Sequence, residues 1–310
     1  MQAESNRPES DVPVIFLDSP SALTLQNGKI FLALDPALGR IVGFGSAASR
    51  QNLIWLNRAD QLPDRSAPQA WRNYGGDKVW VSQQKTWPFI RNADRPDPDI
   101  DGSPWQLLEA TEHRAVLESR QSRTLNVRVR RTVTLAERAP RVTIHNVLHR
   151  SAPSPFPVHI WSITQIRPTE CCLLHSAAQK PDPRPYLELC APGTLPRDRV
   201  TELDASVLFR PPRGEPADSK IGTLGKWVAA VFPDWVLLQR HIFDPTACYP
   251  DGSSVQVYAC PDYLELETLS PSLHLQPGEE LAHTVSWELR ERRPDTPPRQ
   301  LAAELNAGND

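Results

Sequence analysis

The stretch Tyr74-Gly75-Gly76-Asp77-Lys78-Val79-Trp80, with Trp87 close behind, concentrates groups that can do chemistry. Two adjacent glycines allow a tight turn and let another group approach the backbone. An acid, a base, a tyrosine and two tryptophans crowd that turn. Indole faces stack on the flat C–H faces of a sugar ring, while Asp, Lys and Gln pair with its hydroxyls. The same residues also fit a glycine turn beside core tryptophans. A second group lies in Tyr263-Leu264-Glu265-Leu266-Glu267, which alternates strictly. On a strand, Tyr263, Glu265 and Glu267 face one way and the leucines the other, with the carboxylates about 6.6 Å apart. Like charges at that spacing raise one pKa, more so when buried, which suits a base near neutral pH. Two glutamates on a wet sheet face is the competing reading. A third group is Val158 to Gln165, where His159, Trp161, Ile163 and Gln165 share a face. His159 is a candidate general acid, or a satisfied core histidine. His145, His149 and His241 are alternatives to it. Asp218, Lys220, Lys226 and Trp227 are further candidates to line a site.

The elements that must hold these groups read as strands. Prolines number 32 in 310 residues, roughly twice the average share, and argue against helices. Short alternating runs are expected at 14–17, 22–25, 29–34, 40–44, 52–56, from about 114, and at 127–135, 141–149, 158–166, 226–232, 235–241, 254–260, 263–269 and 280–289. Asn27-Gly28 between two such runs is a hairpin signal. Residues 57–105 and 168–222 lack a clear period. The tryptophans at 71, 80, 87 and 105 argue against disorder in the first of these. The expected organisation is a disordered lead-in over 1–12, one domain over 13–291, and a tail over 292–310 with a short helix near Pro298–Asn306. Many short strands with Gly and Pro turns imply an all-β fold, a large antiparallel β-sandwich.

Composition narrows the partners. The net charge is -3, from 34 basic and 37 acidic residues. The Arg-rich run from Arg120 to Arg131 alternates Arg128 and Arg130 with Val127 and Val129, the pattern of a strand face rather than a phosphate tracker. No nucleic-acid partner is expected. No apolar run reaches 18 residues, and the polar N-terminal segment has no signal-peptide core, so no membrane association and a cytoplasmic location are expected. Five cysteines, two of them adjacent, do not suggest a disulfide framework. No Cys/His cluster has zinc spacing, and no phosphate-binding or nucleophile-elbow motif occurs in a convincing context, so neither a metal nor an organic cofactor is expected.

Taken together, Leu38-Gly39-Arg40-Ile41-Val42, Asn73 to Trp80, Trp161 to Gln165, Tyr249-Pro250-Asp251-Gly252, Glu265 to Pro271, Leu275 to Glu279 and Trp287-Glu288-Leu289 resemble the DUF4380 family. That family is similar to the galactose mutarotase (aldose 1-epimerase) superfamily. The resemblance spans roughly residues 20–290 and implies a galactose mutarotase-like supersandwich. It implies a small-molecule sugar as partner, an anionic one if Lys78 and nearby arginines act on it. It places Glu267 as general base, with Glu265 beside it and His159 as general acid. Tyr74, Gly75, Gly76, Asp77, Lys78, Trp80, Trp87, Trp161 and Gln165 would bind the sugar. Tyr74 stands where the mutarotase loop has histidine, which favours the alternative of a non-catalytic carbohydrate-binding protein. An oligosaccharide lyase or hydrolase on the same fold is the other alternative.

Overall fold

The computed structural model describes residues 22–57, 71–91, 95–177, 185–190, 193, 195–212 and 218–308. The segment expected as a lead-in, 1–12, and the run expected at 14–17 lie outside them. Two antiparallel sheets dominate. One has nine strands in the spatial order Leu23–Gln26, Ile30–Asp35, Arg40–Ser46, Asp77–Trp80, Trp161–Ile166, Leu264–Leu269, Val255–Ala259, Ser219–Thr223 and Leu187–Glu188. The other has ten, in the order Val200–Leu203, Ser206–Phe209, Cys171–His175, Trp227–Val231, Trp235–His241, Glu280–Glu291, Arg141–Arg150, Val127–Leu135, Arg114–Glu118 and Gln106–Ala110. The all-β sandwich expected from the strand pattern is the fold observed.

Alternation explains most of these strands. Leu264 and Leu266 are buried between the sheets, as are Val127, Val129, Val133 and Leu135 opposite. Phe44 of the first sheet meets Trp287 of the second edge-on, ring centres 5.3 Å apart. Asn27-Gly28 makes the expected hairpin, with Leu23–Gln26 pairing antiparallel to Ile30–Asp35 and Gly28 at φ 75°.

Several stretches differ from the sequence expectation; Asp77–Trp80 and Gln106–Ala110 are strands where no run was expected. Residues 52–56 form no strand; Ile54 and Leu56 make single bridges to Ile166 and Gly75. Residues 168–222 hold Cys171–His175, Leu187–Glu188, Val200–Leu203, Ser206–Phe209 and Ser219–Thr223. The signal of Cys171–His175 is weak because that strand is covered on both faces. Cys172 and Leu174 join the core between the sheets. Cys171 and Leu173 pack with Trp227 against Leu301, Ala302 and Leu305, which belong to the helix Pro298–Ala307. A strand buried on both faces loses its period of two.

A polar network crosses the apolar interior. Arg131 pairs with the Asp77 carboxylate at 2.8 Å and donates through Nε to Asn146 Oδ1 at 2.9 Å. Asn146 donates to Ser162 Oγ at 3.3 Å. The Thr164 hydroxyl donates to Asp77 Oδ2 at 2.8 Å and accepts from Gln239 Nε2 at 2.8 Å. Arg131, Asn146 and Gln239 belong to the ten-stranded sheet; Asp77, Ser162 and Thr164 belong to the nine-stranded one. The sheets are thus registered by directional bonds as well as by apolar packing. Arg131→Met would leave Asp77 buried without its cation, and urea unfolding should show a loss of about 3–5 kcal/mol. The double variant Asp77→Leu, Arg131→Met should recover most of it. Equal losses in the two proteins would mean that the charge pair is not what matters.

Candidate functional site

Alternation at Asp77–Trp80 divides its side chains between two worlds. Asp77 turns inward to Arg131, and Val79 joins the core. Lys78 and Trp80 therefore project from the opposite face of the nine-stranded sheet. Register carries that face across four more strands. Lys78 lies opposite Ile163 and Trp80 opposite Trp161. Gln165 lies opposite Glu265, and Ile163 opposite Glu267. Glu265 lies opposite Tyr258, and Tyr258 opposite Lys220.

The result is a row of paired charges set in indole. The Lys78 ammonium stands 3.4 Å from Glu265 Oε1. It also lies 5.7 and 5.2 Å from the ring centres of Trp71 and Trp80. Gln165 donates to the same Glu265 oxygen at 2.9 Å. The Lys220 ammonium stands 2.8 Å from Glu267 Oε2 and 4.6 Å over the ring of Trp161. Trp161 Nε1 donates to Glu267 Oε2 at 2.7 Å. Glu267 Oε1 is buried and has no hydrogen-bond partner. Burial pushes the Glu267 carboxyl up to about 7; Lys220 works against this and Glu265 adds to it. Burial lowers the Lys78 pKa, with Glu265 opposing and Arg40 reinforcing.

A second layer holds the indoles. Asp101 Oδ2 accepts from Trp80 Nε1 at 2.7 Å and from Trp71 Nε1 at 2.9 Å. Arg40 pairs with the other Asp101 oxygen and donates to Gly75 O at 2.5 Å. Burial works against the Asp101 carboxylate, but Arg40, Lys78 and the two indole N–H groups hold its pKa below the ordinary value. Gly75 and Gly76 sit at φ 86° and 82°. A Cβ on Gly75 would lie 2.4 Å from Trp55 O, and one on Gly76 2.7 Å from Ile41 O. The glycine pair is therefore needed for close backbone approach.

The structure brings Lys78, Trp80, Trp161, Gln165, Glu265 and Glu267 to one face. Trp87 joins them edge-on to Trp80, ring centres 5.0 Å apart. Asp77 lies on the other side of the sheet. Tyr74 packs on Phe31, Ala33, Leu38 and Val42, with the Arg40 guanidinium 5.7 Å over its ring. His159 is buried, its ring centre 6.3 Å from that of Trp161, with Nε2 unpartnered. Burial lowers its pKa to about 3, so the imidazole is neutral at pH 7. Arg40, Trp71 and Asp101 are the supporting residues that sequence reasoning missed. They are remote in the chain, and only the bonds that Arg40 and Trp71 make to Asp101 join them as one group. Among the described residues, no group of three or more His, Cys, Asp or Glu could hold a metal ion, and no helix is long and apolar enough to cross a membrane.

No family model matches this chain, and no curated protein matches it; membership of the DUF4380 family does not follow. Solved structures do match. A galactose mutarotase-like protein from Lactobacillus casei has a TM-score of 0.55 at 8% identity, over 87% of this chain and all (100%) of its own. A proposed aldose 1-epimerase from Escherichia coli K12 has 0.58 at 12%, over 87% and 99%. The fold is the galactose mutarotase-like sandwich. A galactose 1-epimerase from Lactobacillus acidophilus shares it with a TM-score of 0.51 at 12% identity, over 88% of this chain and 95% of its own. At such identities the likeness is one of fold.

The raised Glu267 pKa has a stability signature. Its ordinary value is 4.5 and its folded value about 7, so between those pH values the folded state binds more protons than the unfolded. Stability from this group is complete below pH 4.5 and is lost as pH rises to about 7. Urea unfolding across pH 4–8 should show that decline in the parent protein and a shallower one in Glu267→Gln. Parallel curves would place the Glu267 pKa in the ordinary range.

Proposed function

We propose that this face binds a small aldose and interconverts its anomers. The observation that carries the reading is Glu267. Its carboxylate is fixed by Trp161 and Lys220, keeps one oxygen unpartnered, and has a pKa of about 7. A carboxylate poised near the working pH is suited to take a proton from a weak acid and return it. The neighbouring galactose 1-epimerase and mutarotase-like sandwiches support the substrate class without assigning these roles.

In this reading the indoles of Trp80 and Trp161 take the sugar's C–H faces. Gln165 and Glu265 pair with hydroxyls. Glu267 removes the proton from the anomeric hydroxyl. The C1–O5 bond breaks as Lys78 protonates the ring oxygen, giving the open aldehyde. Rotation about C1–C2 and the reverse transfers close the ring on the other face and restore both side chains. Lys78 takes the acid role expected of His159 because it is paired with Glu265 and burial lowers its pKa, whereas His159 is neutral at pH 7. Lys78, Lys220 and Arg40 are each matched by a carboxylate. That balance favours a neutral aldose over the anionic sugar expected from Lys78 and the arginines.

The complete burial of Glu267 beneath Lys220 favours a second reading, binding without turnover. Anomer-exchange NMR separates the two. With glucose, galactose and xylose, the first reading expects exchange well above the buffer rate for at least one sugar. Glu267→Gln should then lose about 10²–10⁴-fold, and Lys78→Met should fall comparably. Binding with exchange no faster than buffer would leave only the second reading.

A further inference from the structure

Beside the proposed aldose site lies an open hollow of about 500 Å³, lined by Trp55, Leu56, Asn57, Asn73, Asp262 and Tyr263. Its size falls within the range of small-molecule sites. Trp55 and Tyr263 form an aromatic pair, ring centres 4.4 Å apart at 33°. Asn73 Nδ2 donates to the Tyr263 hydroxyl at 3.1 Å. Asn73 Oδ1 is buried without a hydrogen-bond partner. Burial raises the Tyr263 pKa, so the phenol stays neutral. Asp262 is exposed at the rim. An aromatic wall with an amide, a phenol and a carboxylate is the inventory that holds a polyhydroxylated ring.

The hollow is built onto the charged row. Tyr263 precedes Glu265 by two residues on the same strand face, about 7 Å along the chain. Trp55 N–H donates to Gln165 O at 3.0 Å, and Gly76 N–H donates to Trp55 O at 2.9 Å. Gln165 in turn holds Glu265. The tight Gly75-Gly76 turn thus fixes the aromatic wall against the row's Gln165 end.

We propose that this hollow is a second sugar subsite. The aldose at the Glu267 end is then the reducing-end residue of a disaccharide or longer glycan, whose next residue rests on Trp55 and Tyr263. The proposal rests on the aldose-binding reading above and specifies its substrate class.

Titration calorimetry tests it with glucose against maltose, cellobiose and lactose, and galactose against β-1,4-galactobiose. At least one disaccharide should bind tenfold or more tightly than its reducing-end monosaccharide. Trp55→Ala should abolish that gain and leave monosaccharide affinity within twofold. Asp262→Ala and Tyr263→Phe, milder changes, should each remove part of it and serve if Trp55→Ala does not fold. Glu267→Gln should keep the gain while losing anomer exchange. Equal affinity for both members of every pair, or equal weakening of both by Trp55→Ala, overturns the subsite and leaves the aldose site standing. Binding of none of these sugars overturns both.

Discussion

Asp77 and Lys78 are consecutive residues, both buried, with opposite charges aimed at opposite faces of one sheet. Each charge can be there only because a partner meets it: Arg131 and Thr164 on one side, Glu265 on the other. A desolvated, unpaired ion costs several kcal/mol. Four residues of strand therefore fix how the two sheets stack and where the charges of the outer face stand. Slipping this strand by one residue would put an ammonium against Arg131 and a carboxylate against Glu265, so register here is electrostatic as well as steric.

The same logic organises the outer face. Lys78 with Glu265, Lys220 with Glu267 and Arg40 with Asp101 give an array with little net charge and large local fields. Low local dielectric strengthens each field. Protonating Glu267 would tip the balance toward the cations. A neutral polyol can exploit such an array through hydroxyls, which donate to carboxylates and accept from ammonium groups alike. The indoles confine the ammonium groups without neutralising them.

Much of this was legible in the sequence. Period two in Tyr263–Glu267 placed Glu265 and Glu267 together, and the paired glycines of 75–76 marked a close approach. Lys220 was visible only as one charge among several. Asp77 misled because membership of a motif does not tell which face a side chain takes; one partner on a remote strand decided it. His159 shares a face with Trp161, but burial without a counter-charge keeps it neutral, and sequence does not report solvation. Arg40 and Asp101 had no local signature, since their meaning lies in a contact across sixty residues. Cys171–His175 escaped because double burial erases alternation, and Leu187–Glu188 and Val200–Leu203 because they are short and lie among prolines.

The strand Glu280–Glu291 lies near the end of the chain yet in the middle of the ten-stranded sheet, between Trp235–His241 and Arg141–Arg150. During synthesis each half of that sheet must wait, one edge unpaired, until residues 280–291 have emerged. Closure of so many distant pairings is slow, and waiting edges invite pairing with other chains. The helix Pro298–Ala307, which follows that strand, then covers the outer apolar patch around Trp227. A nascent chain halted before residue 280 would carry two half-sheets with no strand to join them.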